Sequence, residues 1–304
     1  MARVLVLGGY GAVGRHAVAE LARRHEVVVA GRDLARASAV PGATGVRVDL
    51  RDEEDVRRVV AGADVVLMCA ETANGAVARA AAEAGAHYLD VSASAGVLAS
   101  IEEPTGTTAL LSVGLAPGVS NLLARWCVEA TGAREVEIGV LLGGGERHGA
   151  AAVEWTAAGV AGMGGAWRAR FPEPFGARRV RGFPFSDQVT LPTTLPVDRV
   201  RTGLCLDSRL ATALLPAVRW LGPLASSVHL GGDGFAVVAS AGGMSCSFSG
   251  SGQSRATGVI AAALVELLPT MPAGRWHVEQ VVEPEAFLGA LEGYRVAGPS
   301  YDVR

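Results

Sequence analysis

Near the N-terminus, Gly9-Tyr10-Gly11-Ala12-Val13-Gly14 has the G-x-G-x-x-G spacing of a pyrophosphate cradle. It follows an apolar run at residues 4–7 and opens a helical stretch over residues 12–24. The three glycines serve different ends. Gly9 permits the tight turn, Gly11 lets backbone approach a phosphate, and Gly14 allows close helix–strand packing. The helix that follows turns free N–H groups and a partial positive charge toward the anion. In a chain with 40 glycines the spacing alone is weak; its place at the first strand–helix turn makes it specific.

The end of the second strand selects the dinucleotide. NAD sites use an acid there to bind the ribose hydroxyls. This chain has Gly31-Arg32-Asp33 instead. Gly31 leaves room for a 2′-phosphate and Arg32 can pair with it, so NADP(H) is expected. A register shift of one residue would make Asp33 a ribose ligand and the cofactor NAD(H). Ala70, Glu71 and Thr72 after the fourth strand, and Ser92 and Ala93 after the fifth, are placed near the cofactor by the same topology.

Candidates for proton handling and substrate binding are more scattered. His148 lies in a glycine-bounded turn and is the first candidate for the proton, with a solvated or helix-capping role as its alternative. Asp90 and Tyr88 alternate onto one face of the fifth strand, Asp90 near its carboxyl end. Asp90 is a second catalytic candidate, with a structural hydrogen-bonding role as its alternative. Tyr88, Pro117, Glu154 and Trp155 are candidate substrate contacts; Trp155 also fits a core position. His16 and His25 flank the first helix and read as structural or solvated.

These residues need an alternating scaffold, and the first part of the chain supplies one. Apolar runs at residues 4–7, 27–30, 46–50, 64–70, 87–91 and 109–113 alternate with helical stretches, the pattern of a doubly wound α/β parallel sheet. Asp52, Glu53, Glu54 and Asp55 suit a helix N-terminus. Beyond residue 132 the rhythm changes to an α+β, mixed-sheet pattern. A hairpin is expected around Gly242-Gly243, edge strands and loops in the proline-rich stretch to Pro196, and a late strand over 276–282. The expected division is a Rossmann domain over 1–132, an inserted substrate and dimerisation domain over 133–252, and a segment over 253–304 returning to the first.

Composition narrows the function classes. The net charge of −3 is spread along the chain, so no basic stripe for nucleic acid is formed. No segment reaches the roughly 18 apolar residues of a membrane span. The chain contains no lysine, which removes lysine Schiff-base chemistry and a Walker-type site. Cys69, Cys127, Cys205 and Cys246 are far apart in sequence and read as buried free thiols in a reducing, cytoplasmic compartment. No His/Cys/carboxylate set has metal-ligand spacing.

Four segments carry a family resemblance: residues 4–14 (VLVLGGYGAVG), 30–33 (AGRD), 87–94 (HYLDVSAS) and 114–121 (GLAPGVSN). They resemble the saccharopine dehydrogenase-like superfamily of NADP-dependent oxidoreductases, the last two matching its Y-x-D-x-S and G-x-x-P-G-x-S-N signatures. The resemblance implies a Rossmann domain, an inserted mixed-sheet domain and often a homodimer. It also implies reduction of an imine formed from an amine and a carbonyl compound. The chain departs from saccharopine-forming enzymes in its smaller second lobe and in lacking the lysine that acts in the lysine-pathway branch. A small amino-acid-derived or specialised metabolite is therefore the expected substrate. The alternatives are carbonyl reduction, a redox-neutral reaction, or cofactor sensing without turnover.

Overall fold

A computed structural model describes residues 1–145, 159–160, 162–214 and 231–301. Strands β1 (Arg3–Leu7), β2 (Glu26–Gly31), β3 (Thr44–Arg47), β4 (Val65–Met68), β5 (His87–Asp90) and β6 (Thr108–Leu111) alternate with helices. Next come β7 (Glu135–Leu142), β8 (Ala166–Arg170), β9 (Ala177–Gly182), β10 (Arg199–Leu206), β11 (Gly234–Ala241) and β12 (Met244–Ser251). Strands β13 (Gly274–His277) and β14 (Arg295–Tyr301) complete the set. The chain divides into two compact units, Met1–Gly114 with Ser254–Val281, and Leu115–Gln253 with Val282–Arg304.

The first unit holds a seven-stranded sheet in the order β13-β6-β5-β4-β1-β2-β3, with every pairing parallel. A parallel sheet must be covered on both faces, and the strands are apolar on both. Leu5, Leu7, Val66 and Met68 pack with Val56, Val60, Val77 and Ala81 from helices Glu53–Val60 and Asn74–Glu83. On the opposite face, Val29 and Val18 of helix Gly14–Leu21 close over Gly9. Helix Gln253–Leu267 joins that layer. A Cβ on its Gly258 would meet Ala17 N and Val13 O at 2.8 Å, so only glycine permits the approach. Asp52 caps its helix by accepting from the amides of Glu54 and Asp55, as the acidic run predicts.

The second unit is a mixed sheet in the order β14-β12-β11-β7-β10-β9-β8, in which β7 and β10 are parallel. Strands β11 and β12 form the expected hairpin. Gly242 and Gly243 have φ of 57° and 82°, the two positive values that a type I′ turn needs. Helix Ser120–Thr131 packs on β11 and β12. On β7 and β10, Arg199 pairs with Glu135 and Arg201 with Glu137. These exposed pairs contribute about 0–1 kcal/mol each.

Three expectations change. The boundary falls after Gly114, not at 132, because helix Ser120–Thr131 packs on the second sheet. The C-terminal segment divides between the units: β13 joins the parallel sheet, while β14 pairs with β12. The late strand stops at His277, because helices Val278–Val281 and Pro284–Gly289 follow. The proline-rich stretch does hold one expected edge strand, β8, but β9 is paired on both sides and Asp187–Thr194 is a helix despite Pro192.

Candidate functional site

The glycine turn sits at the carboxyl end of β1. Gly8 has φ +79° and accepts a 2.9 Å hydrogen bond from the Gly11 amide. A Cβ on Gly14 would overlap the Gly8 carbonyl oxygen and the Gly9 Cα, and one on Gly9 would press into Val29. Helix Gly14–Leu21 begins at Val13 with no side-chain cap and no acid in its first turn. That start fits a phosphate: its amides have no competing carboxylate, and Gly9 and Gly11 leave backbone without side chains for a pyrophosphate to approach.

At the end of β2, the space beside Gly31, expected from the sequence to be open for a phosphate, is instead filled by the Tyr10 ring, and a Cβ there would fall 2.5–2.8 Å from ring atoms and the hydroxyl. Arg36 stacks on the same ring, its guanidinium carbon 4.6 Å from the centroid. Asp33 caps helix Leu34–Ser38, accepting from the Arg36 amide at 3.1 Å. Its carboxylate is therefore engaged with the protein's own backbone. Arg32 and Arg36 are both exposed and have no carboxylate partner within salt-bridge range among the described residues. Two unpaired guanidiniums beside a capped aspartate fit a 2′-phosphate better than a free 2′-hydroxyl.

The ends of β4 and β5 are tied together by a buried polar cluster. Asp90, 0 % exposed, accepts from the Tyr88 hydroxyl at 2.6 Å, Asn74 Nδ2 at 2.9 Å and the Ser92 amide at 2.8 Å. Asn74 Nδ2 also reaches the Ala70 carbonyl and Ser92 Oγ, both at 3.1 Å. A buried carboxylate needs such donors, since an unpaired one costs several kcal/mol. Burial, followed by the Asp90 carboxylate, holds the Tyr88 phenol well above its ordinary range. Tyr88 and Asp90 do share a face, as strand alternation predicts, but that face is closed. Tyr88 and Ser92 are 2 % and 3 % exposed and turn their hydroxyls into the cluster, so those side chains are not offered to a ligand. Asp90 has the geometry of a positioning residue, with all its reach spent on the two loops.

Outside this cluster the same two loops open into a depression of about 540 Å³, with Glu71, Thr72, Arg79, Ser94 and Ser100 in its lining. Ala73 enters it in the left-handed region at φ 54° and precedes helix Asn74–Glu83. The Glu71 carboxyl is raised above its usual range by burial; its hydrogen bond from the Ala93 amide opposes the rise and the Asp90 charge adds to it. Ala70 and Ala93 are half-buried at the loop starts. The expected cofactor residues thus gather into two groups in the first unit, the glycine turn with Gly31–Asp33 and the β4–β5 loops.

Pro117 lies in the second unit and is buried. Beside it the Gly118 amide and the Ser120 hydroxyl both donate to Asn121 Oδ1 at 3.2 Å, ordering the turn into helix Ser120–Thr131. Pro117 thereby shapes backbone and presents little surface. His148, Glu154 and Trp155 lie outside the described residues. His25 is structural, with Nδ1 on the Ala2 amide and Nε2 2.8 Å from Glu266.

Three features have no signal in the sequence. Arg36 is visible only through its stacking on Tyr10, and Asn74 only through the cluster it joins. The third is at the carboxyl ends of β6 and β13, where Ser112 Oγ is 2.8 Å from His277 Nδ1. Ser112 is fully buried with φ 58°, an uncommon conformation for a residue other than glycine. Burial, with the Arg275 charge adding to it, pushes the His277 imidazole down to about 4. Neither residue has a sequence spacing that would announce the pair. Among the described residues, no group of histidines, cysteines and carboxylates is arranged for a metal, and no helix is long and apolar enough to cross a membrane.

Comparison with known proteins agrees with this geometry. The family model of the saccharopine dehydrogenase NADP binding domain matches residues 4–112. Apo saccharopine dehydrogenase (L-Glu forming) from Saccharomyces cerevisiae superposes with a TM-score of 0.68 at 14% identity, covering 98% of this chain and 100% of that one. A likeness at that identity is one of fold. A short-chain dehydrogenase/reductase (wide type) from Veillonella parvula in complex with NADP is 17% identical over 29% of this chain and 46% of its own, with a TM-score of 0.27. None of the curated proteins compared matches in sequence. The matched domain is an NADP-binding one, and both glycine turn and arginine pair fit that cofactor. Residues 4–112 thus match the saccharopine dehydrogenase NADP binding domain, and the chain as a whole shares the fold of saccharopine dehydrogenase.

Proposed function

We propose that this protein reduces an imine or iminium of a small amino-acid-derived or specialised metabolite with NADPH. One observation carries the cofactor half: Arg36 stacks on Tyr10 and Arg32 is exposed nearby in sequence, neither with an acidic partner among the described residues, while Asp33 is occupied as a helix cap. The saccharopine dehydrogenase fold over 98% of the chain supports the imine half by analogy. NADPH supplies the hydride. The chain's own residues hold the pyrophosphate on the uncapped helix start, grip the 2′-phosphate, and fix the β4–β5 loops through Asp90 and Asn74. In this reading His148 handles the proton and the protein works as a cytoplasmic homodimer on a small molecule.

The deciding experiment follows NADPH consumption optically against cyclic imines and keto-acid/amine pairs. Turnover on any cyclic imine supports the reading. A silent panel with NADPH demonstrably bound overturns it in favour of a redox-neutral enzyme or a sensor. His148→Ala is expected to lower turnover at least roughly 100-fold, the lower end of the usual range for a general acid, with NADPH affinity intact. Unchanged turnover removes His148 from the mechanism.

A further inference from the structure

Two of the four cysteines, 119 positions apart in sequence, meet inside the second unit. Cys127 lies on helix Ser120–Thr131 and Cys246 on β12; they are 0 % and 1 % exposed. Their sulfurs are 2.6 Å apart. That is shorter than the roughly 3.5–4.0 Å at which unbonded heavy atoms pack best, and longer than the ~2.05 Å of a disulfide. Cys246 stands directly opposite Ala239 in the β11–β12 ladder, and Cys127 Sγ also reaches the Ala239 carbonyl oxygen at 3.4 Å. The helix is held close here, since a Cβ on Gly242 would meet Thr131 Cβ at 2.8 Å. Neither remaining cysteine competes: Cys69 belongs to the first unit, and Cys205 lies on β10.

We propose that Cys127 and Cys246 are a redox pair that closes to an intradomain disulfide, pinning helix Ser120–Thr131 to the β11–β12 hairpin. The oxidant is a low-molecular-weight disulfide of the glutathione class. One cysteine sulfur, as its thiolate, attacks the oxidant's S–S bond and releases one small thiol. The second cysteine thiolate then displaces the other small thiol from the mixed disulfide. One S–S bond forms in the protein and one breaks in the oxidant. Two electrons pass to the oxidant, and the two cysteine protons end on the released thiols. The neighbouring Cys127 sulfur, together with burial, raises the Cys246 thiol far above its ordinary value. Exchange in the folded state is therefore slow, because the thiolate is the reacting form. Closure occurs during folding or when the hairpin lifts, and the closed bond resists mild reductant. This inference is independent of the proposed activity.

The test is to incubate the full chain with oxidised glutathione during refolding, quench, unfold, alkylate and map the peptides. The expected result is two alkylated cysteines, Cys69 and Cys205, and one cross-linked peptide joining Cys127 to Cys246. The oxidised protein should melt roughly 5 °C or more above the reduced one, the order expected for a long closed loop. Cys246→Ser and Cys127→Ala should each abolish the cross-link and the reductant-dependent shift. Four alkylated cysteines, glutathione adducts alone, or a bridge to Cys69 or Cys205 would overturn the proposal. Peptide mapping of the unmodified sequence decides the matter even if a variant fails to fold.

Discussion

At the β1–β2 end of the parallel sheet, the groups we propose for the cofactor are backbone amides and two exposed guanidiniums. At the β4–β5 end, the loops instead rest on a closed cluster around Asp90, with Asn74 donating to Asp90, Ser92 and the Ala70 carbonyl. The first end recognises charge through groups local in sequence: Gly9 to Gly14, then Gly31 to Arg36. The second end holds shape through residues 16 and 18 positions apart. One should therefore fail in affinity and the other in stability.

The largest effect is expected from Gly14→Val. Its side chain would collide with Gly8 and Gly9, and calorimetry should show NADPH affinity reduced at least ~100-fold, about 2.7 kcal/mol. Near-normal binding would break the cradle assignment.

An effect of similar size, on stability and not on binding, belongs to His277 at the far edge of the same sheet. Its folded pKa, about 4, lies below the unfolded value of 6.5. The unfolded chain thus binds the extra proton first, and stability is full above 6.5 and lost as pH falls toward 4. The loss is on the order of 3 kcal/mol. Urea denaturation across that window should show it, and His277→Gln should flatten the profile. An unaltered slope in the variant would assign the acid sensitivity elsewhere.

Asp90→Asn sharpens the contrast between the two ends. It leaves at least one of the three donors on Asp90 poorly matched, and should cost about 2 kcal/mol in urea midpoint measurements, with NADPH affinity little changed. Lost turnover at unchanged stability would instead make Asp90 a chemical participant. The smallest effects belong to the exposed end. Arg32→Ala should weaken NADPH binding roughly ten- to thirtyfold and NADH binding hardly at all, and Arg36→Ala should do the same by a few-fold. Equal losses for both cofactors would remove the 2′-phosphate assignment.

How much of the site is legible in the sequence follows from how local each part is. The glycine turn and the Gly31–Asp33 corner are readable because a tight turn and a strand end impose fixed spacings on neighbouring residues. Even there, Asp33 is ambiguous in the sequence, and its carboxylate caps the next helix in the structure. Alternation groups Tyr88 and Asp90 correctly, yet it suggests a face open to ligand where the structure has a closed one. Periodicity tells which residues share a face and is silent on whether that face is covered.

The sequence by itself determined the doubly wound first sheet, the NADP-binding turn and the β11–β12 hairpin, because strand period, helix starts and positive-φ glycines are local constraints. Only the tertiary structure decided that helix Ser120–Thr131 belongs with the second sheet, and that β13 and β14 part company. It also decided that Arg36 meets Tyr10, Ser112 meets His277 and Cys127 meets Cys246. Each of the last two pairs joins residues more than a hundred positions apart. Such contacts are set by which strands lie side by side and which helix covers them, and no pattern along the chain encodes that.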